Sequence, residues 1–168
     1  MSSLWHLQRP QALAGRGARE LLDLELTAFF ASRQCPGTAI RAAMDWALLQ
    51  ARTKRAVISG FHSPLEQSVL TVLIAAGTPF VVVLARPVQD AKLPPEWNDA
   101  LADGRMAVVS GVEKADRMTQ QLATERNALV ARLAHSIVVA HASPSGSLSA
   151  QMVQWQQEGR RVERLVTP

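Results

Sequence analysis

The segment Ala56-Val57-Ile58-Ser59-Gly60-Phe61-His62-Ser63-Pro64-Leu65-Glu66 decides how the whole chain is read. Its apolar run stops at Ser59-Gly60, and the residues that follow spell the opening of a helix. Ser63 is placed to N-cap that helix, and Pro64 suits its first position because it has no amide hydrogen to leave unpaired. Glu66 falls three residues after the cap, where it closes a capping box. The segment is therefore a strand, a tight turn and a helix in succession. The free amides and positive dipole end of the helix point back toward Gly60, where the missing side chain lets a ligand approach the backbone. An anion such as a phosphate is the ligand such a turn suits; the alternative is a well-capped connection that holds nothing.

The same alternation extends outward in both directions. Leu26 to Ser32 is a nearly continuous apolar run, as a strand buried on both faces requires, and it leaves at Ser32-Arg33. A helix is predicted from Pro36 through Gln50, with Ile40, Met44, Ala47 and Leu48 on one face. After the helix Pro64 to Ala76, stopped by Gly77, come a strand at Phe80 to Leu84 that exits at Arg86-Pro87, a short helix within Pro94 to Asp103, and a strand at Met106 to Val109. A long helix within Arg117 to Ala134, a fifth strand at Ser136 to Ala140, a helix running to Glu158 and an edge strand at Val162 to Val166 complete the series. Such alternation with short connections predicts an α/β fold, a mostly parallel sheet with helices on both faces. Residues 1–20 read as an N-terminal extension whose Leu4 and Trp5 are available to dock on a single domain formed by residues 21–168.

Composition agrees with one globular domain: 168 residues, 48% hydrophobic and 19% charged, far from the disordered class. No apolar run reaches the length of a membrane span, and Met1 to Pro10 lacks the charged start and apolar middle of a signal peptide, so a cytoplasmic location is the default expectation. Cys35 is the single cysteine, which excludes an internal disulfide and a multi-cysteine metal site. Neither a metal nor a cofactor is expected. The net charge of +4 and pI near 10.2 favour a polyanionic partner if the charge is gathered on one face. Arg52, Lys54 and Arg55 precede one predicted strand, and Arg160, Arg161 and Arg164 surround the start of another. Both clusters then fall near the N-terminal edge of the sheet, opposite the edge where ligands bind, and read as solvated flanks.

The loops that leave the strands converge on the C-terminal edge. They carry Ser32 and Arg33, then Ser59, Gly60 and His62, then Arg86, then Ser110 and Gly111, then His141, Ser145, Gly146 and Ser147. Small hydroxyl residues, glycines and a few cations are what a phosphate-bearing ligand needs. Arg126 adds an independent sign. The apolar stripe Met118, Leu122, Leu129, Leu133 places it in the middle of an inward face, where a guanidinium requires either a structural partner or a bound anion. His62 and His141 are loop histidines with no paired carboxylate in sequence, more in keeping with structural than acid–base roles. Cys35, just before the first helix, would gain acidity from that helix end, but nothing else supports a catalytic thiol. Trp46, Trp97 and Trp155 sit in helical patterns as core or docking residues. No Walker A, Gly-x-Gly-x-x-Gly, Gly-x-Ser-x-Gly or His-Glu-x-x-His sequence occurs, and no catalytic residue is assigned.

Three stretches taken together resemble a known family. Ser59-Gly60 after a strand, Glu125-Arg126-Asn127-Ala128-Leu129-Val130-Ala131-Arg132-Leu133-Ala134, and Ser145-Gly146-Ser147-Leu148 after a strand are similar to the domain of the DNA-processing protein A (DprA, or Smf) family, as is the opening Ser32-Arg33. The turn Ser59 to Glu66 stands where that family usually has Ser-Gly-x-Ala-x-Gly-Ile-Asp. The resemblance implies a Rossmann-like three-layer sandwich, binding of a nucleotide or single-stranded DNA at the C-terminal edge, a role in DNA processing or uptake, and a homodimer. It also implies that Ser32, Arg33, Ser59, Gly60, Arg126, Asn127, Ser145 and Gly146 line the pocket, with His62 and Ser147 beside them. The same superfamily includes the lysine-decarboxylase-like (LOG) phosphoribohydrolases, whose Pro-Gly-Gly-x-Gly-Thr-x-x-Glu motif is matched only by Pro144-Ser145-Gly146-Ser147, without the acidic residue. A nucleotide-cleaving enzyme using His62 or Glu66 is thus the lesser alternative, beside a non-catalytic interaction module.

Overall fold

Adjacent residues of a strand face opposite sides of a sheet, and two neighbouring phenylalanines display both sides at once. Phe29 stacks on Trp46 with ring centroids 5.0 Å apart, and Phe30 meets Trp155 at 4.8 Å on the other side. The computed structural model describes residues 3–8, 11–114 and 119–166. Its elements are β1 (Trp5–Leu7), β2 (Leu13–Gly17), β3 (Thr27–Ala31), α1 (Gly37–Thr53), β4 (Val57–Ser59), α2 (Pro64–Ala76), β5 (Phe80–Val83), α3 (Asn98–Ala102), β6 (Met106–Ser110), α4 (Gln120–Leu133), β7 (Ser136–His141), α5 (Ser147–Gln157) and β8 (Val162–Arg164), with 3-10 turns at Arg19–Asp23 and Pro95–Trp97. None of the described helices is long and apolar enough to cross a membrane.

The strands form one sheet in the order β1-β2-β6-β5-β4-β3-β7-β8. Pairing is parallel from β6 through β8 and antiparallel only where β1 and β2 join β6. The expected α/β architecture is therefore present, and alternate strand residues supply its two cores. Phe30, Ile58, Val81, Val83, Val109 and Val139 pack with Leu129, Val130, Met152 and Trp155 of α4 and α5. Phe29, Val57, Phe80, Val82, Val108 and Val138 pack with Ala43, Trp46, Leu65, Val69 and Leu73 of α1 and α2.

The stretch read as an extension contributes β1 and β2. Trp5 lies across Gly15, where a Cβ would sit 2.3 Å from its ring, and its indole N–H donates to the Gly17 carbonyl at 3.1 Å. The buried face of α1 also differs from expectation. Ala39, Ala43, Trp46, Ala47, Gln50 and Ala51 point inward, while Ile40 and Leu48 are 44% and 54% exposed. Small side chains bring the helix axis close enough for Trp46 to stack on Phe29, a fit that the larger residues would prevent.

Chain order fixes where the site lies. From β3 the chain winds outward through β4, β5 and β6, then returns to place β7 on the other side of β3. After β3 the chain passes to α1 on one face of the sheet and after β7 to α5 on the other, which opens a crevice at the C-terminal ends of these strands. Pairing slips there, with Phe30 opposite Val139 but Ala31 opposite His141, a bulge that re-aims the chain as it enters the loop.

Candidate functional site

The crevice at the switch point has a volume of about 690 Å³. It is lined by Ser32 and Arg33 from the β3 exit, His62, Ser63, Glu66 and Gln67 from the β4 exit and α2, Ala123, Arg126 and Asn127 from α4, and Ser143, Gly146 and Ser147 from the β7 exit. Of the ten residues expected to bind the ligand, Ser32, Arg33, His62, Arg126, Asn127, Gly146 and Ser147 are brought together here.

The other three lie elsewhere, each for a physical reason. Ser59 is fully buried, and its hydroxyl accepts the Phe61 N–H at 3.0 Å, which fixes the turn. Gly60 lies beneath Arg126: a Cβ there would come within 2.6 Å of its Nε. The missing side chain therefore admits a guanidinium from the same molecule. Ser145 takes a left-handed φ of 63° and shapes the turn into α5 without lining the crevice. Phe61 has φ 47°, so the β4 and β7 exits each hold a non-glycine residue in a costly backbone conformation.

The helix that opens the motif is occupied by its own side chains. Glu66 accepts the N–H groups of His62 at 2.9 Å and Ser63 at 3.2 Å through Oε1, and that of Ala31 at 3.0 Å through Oε2. The Ser63 hydroxyl accepts the Glu66 N–H at 3.4 Å. The capping box is present as expected, but Glu66 also ties the end of β3 to the start of α2. Burial pushes its carboxyl up from the usual range, against the pull of the three amides and of Arg126. The helix end expected to receive an anion is thus closed, and the one at α5 is open: its N-cap is Gly146, and no side chain caps its first turn.

Arg126 is 8% exposed and donates through Nε and Nη2 to Asn127 Oδ1, both at 3.3 Å. Asn127 Nδ2 donates to Gln151 Oε1 at 3.4 Å, and Gln151 Nε2 donates to the Thr124 carbonyl at 3.0 Å. A cation on α4 is held in place by a buried amide on α5. Among the described residues Arg105 and Asp103 form the one ion pair within 4 Å, so Arg126 faces the crevice with no carboxylate in direct contact. Burial loosens its hold on its proton, and the charge of Glu66 opposes that effect.

His62 is pushed below its ordinary pKa by burial, then by the charges of Arg126 and Arg33. The Cys35 thiol is pushed up by burial and by Glu66 and donates to the Ser32 carbonyl at 3.2 Å; the gain in acidity expected from the helix end does not occur. Ser32 joins the two exits, since its hydroxyl accepts the Ser143 N–H at 2.8 Å. No group of three or more metal-ligating side chains occurs among the described residues. One of the flanking cations is relocated: Arg164 ends β8 and so lies at the C-terminal edge, beside His141 and Pro144. Arg160 stays at the other edge, where it donates to the Ala131 and Ala134 carbonyls at 2.8 and 2.9 Å and closes α4. Met118 of the predicted stripe lies outside the described residues.

The family model for DNA recombination-mediator protein A matches residues 3–165. The chain belongs to that family. The family match spans β1 and β2 as well as the later strands. Among solved structures, the DNA processing protein A (DprA) of Streptococcus pneumoniae superposes with a TM-score of 0.75 at 18% identity, over 92% of this chain and 55% of that one. The DNA processing protein A of Helicobacter pylori, whose structure concerns its single-stranded DNA binding mode, superposes with a TM-score of 0.77 at 15% identity, over 100% of this chain and 84% of that one. These likenesses show the same Rossmann-like fold, and the chain spans about half the length of the pneumococcal protein. Comparison with curated protein sequences gives no match.

Sequence reading missed Gln67 and Gln151. Gln67 Nε2 donates to the His62 carbonyl at 2.9 Å and steadies that loop. Gln151 does carry a signal: Leu148, Gln151, Met152 and Trp155 share the buried face of α5, so a polar residue interrupts an inward stripe, as Arg126 does on α4.

Proposed function

We propose that the switch-point crevice binds the phosphate backbone of single-stranded DNA, and that the protein acts without catalysis in DNA processing or uptake in the cytoplasm. The observation that carries this reading is Arg126: a buried guanidinium seated on Gly60, braced by Asn127 and Gln151, and facing a crevice beside the uncapped start of α5. A preformed cation and open amides converging on one space favour an oxyanion, because neither has to be reoriented when the ligand arrives. Family membership and the likeness to a protein described as binding single-stranded DNA support the choice of a strand over a free nucleotide.

Cleavage of a nucleotide is the lesser reading. His62 would be its base, since Glu66 is wholly engaged by backbone amides. The test is titration of a labelled oligothymidylate by fluorescence anisotropy at low salt. Binding that weakens when Arg33→Ala or Arg126→Ala is introduced supports the proposal, and absence of binding by the native protein overturns it. Incubation with nucleoside monophosphates, followed by chromatography, separates the two readings. We also infer a homodimer, for which the exposed Ile40, Leu48 and Leu49 on α1 provide apolar surface; sedimentation velocity would reveal it.

A further inference from the structure

Two walls of the switch-point crevice are tied together by a carboxylate. Through Oε2, Glu66 accepts the amide of Ala31, which ends β3 just before Ser32 and Arg33. Through Oε1 it accepts the amides of His62 and Ser63 on the β4 exit. The loops that carry Arg33 and His62 thus share a single anchor. Among the described residues that line the crevice, Glu66 is also the one acidic side chain, and α2 itself carries no other charge.

The group is 5% exposed, and among the described residues no cation lies within 4 Å of it. The ionisable groups around it are Arg126 of α4, Arg33 on the β3 exit, the His62 imidazole on the β4 exit and the Cys35 thiol before α1; α5 brings none. Cys35 carries its proton already and donates it to the Ser32 carbonyl. Arg126 therefore meets two claims: its charge favours the ionised carboxyl, and a phosphate in the crevice would use that same charge. A second negative charge in this half-enclosed space repels the first, and the repulsion is removed when the carboxyl takes a proton from solvent. Oε2 accommodates the proton at the smaller cost, since it holds one amide against two at Oε1. The hydrogen bond weakened in this way is the one that restrains the Arg33 loop.

We infer that Glu66 is a positioning residue of the phosphate site, and that the strand binds there together with a proton taken up by the Glu66 carboxyl. The inference rests on the reading of the switch-point crevice as a phosphate site. Linkage fixes its sign. A bound phosphate makes the carboxyl harder to ionise, so affinity is highest in acid, where Glu66 is protonated before the strand arrives. It falls as pH rises, until the carboxyl is ionised in both states. Burial holds the free carboxyl above the usual range, which moves this window toward neutrality.

The experiment titrates a labelled oligothymidylate with the full chain at constant low salt and at a series of pH values. Neither a phosphodiester nor thymine changes its charge between mild acid and mild alkali, so the pH dependence belongs to the protein. Affinity is expected to fall about tenfold across the window, a coupling of about one pKa unit. Binding heats measured in buffers of different ionisation enthalpy should report net proton uptake at the middle of that window. His62 is the rival acceptor, because a phosphate favours its charged form as well. Proton uptake should therefore persist in His62→Gln and vanish in Glu66→Gln. If Glu66→Gln fails to fold, His62→Gln decides alone, since uptake lost with it belongs to the imidazole and uptake that survives it belongs to the carboxyl. Binding of the native protein without proton uptake, uptake lost in His62→Gln, or uptake that persists in Glu66→Gln would overturn the inference and leave the phosphate site standing. Failure of the native protein to bind at any pH would remove the phosphate site itself.

Discussion

Gly60 is the residue on which the site turns, because it lets Arg126 lie flat against the backbone of the β4 exit. Its φ is not in the left-handed region, so alanine is compatible with the backbone, and the obstacle is the guanidinium alone. Gly60→Ala is therefore expected to leave a cooperative fold and displace Arg126, weakening binding of an oligonucleotide about tenfold, the worth of one charge-assisted hydrogen bond; anisotropy titration beside a thermal melt would read both effects. Glu66 carries the opposite balance, with most of its weight in stability. Replacing it by glutamine turns one acceptor into a donor facing backbone donors, at an expected cost of about 2–4 kcal/mol in denaturant unfolding. The pH dependence follows from the direction of its shift. Since the folded carboxyl titrates above its unfolded value of 4.5, its contribution is fully present below pH 4.5 and is lost as pH rises through the folded pKa. The stability gap between the native protein and Glu66→Gln should thus be widest in acid and narrow toward neutrality. A gap that widens as pH rises would contradict this assignment.

Among the elements, α2 and α5 divide two tasks that the sequence motif combines. Both begin at the C-terminal edge, but α2 closes its first turn with Ser63 and Glu66, and α5 begins at a glycine. One helix is an anchor and the other presents its amides to the crevice. Ser63→Ala removes a cap and is expected to cost about 1 kcal/mol of stability with little change in anion binding, measured by denaturant midpoint and by titration. If oligonucleotide affinity fell in step with stability, α2 would be contributing amides to the ligand after all. The division also explains a failure of sequence reading. The capping pattern that identifies a helix start is the same pattern that consumes its free donors, so the more legible helix end is the less available one.

For the molecule as a whole, the decisive feature is the arrangement of charge at one sheet edge. Arg33 and Arg126 meet in the crevice, although they are far apart along the chain. Single-strand affinity should therefore fall with salt, and removing one phosphate contact by Arg33→Ala should reduce the slope of log affinity against log salt by about 0.7. A slope unchanged in Arg33→Ala would place that cation outside the contact. Much of the architecture was legible beforehand, because strand and helix periodicity, caps and breakers act over a few residues: Ser63-Pro64-Leu65-Glu66 predicted the start of α2 and Gly77 its end, and the apolar runs predicted the parallel strands. Arg126 was legible too, as a charge interrupting an apolar stripe. What the sequence left open depends on contacts between distant segments. The inward face of α1 follows from the stacking of Trp46 on Phe29, the seat of Arg126 on Gly60 joins residues far apart in the chain, and the pairing of β2 with β6 follows from sheet closure by a segment too short to show a period. Local chemistry determined which elements form and where they stop; only the folded chain decided which side chains occupy the donors those elements offer, because that outcome is a competition among groups brought together by packing.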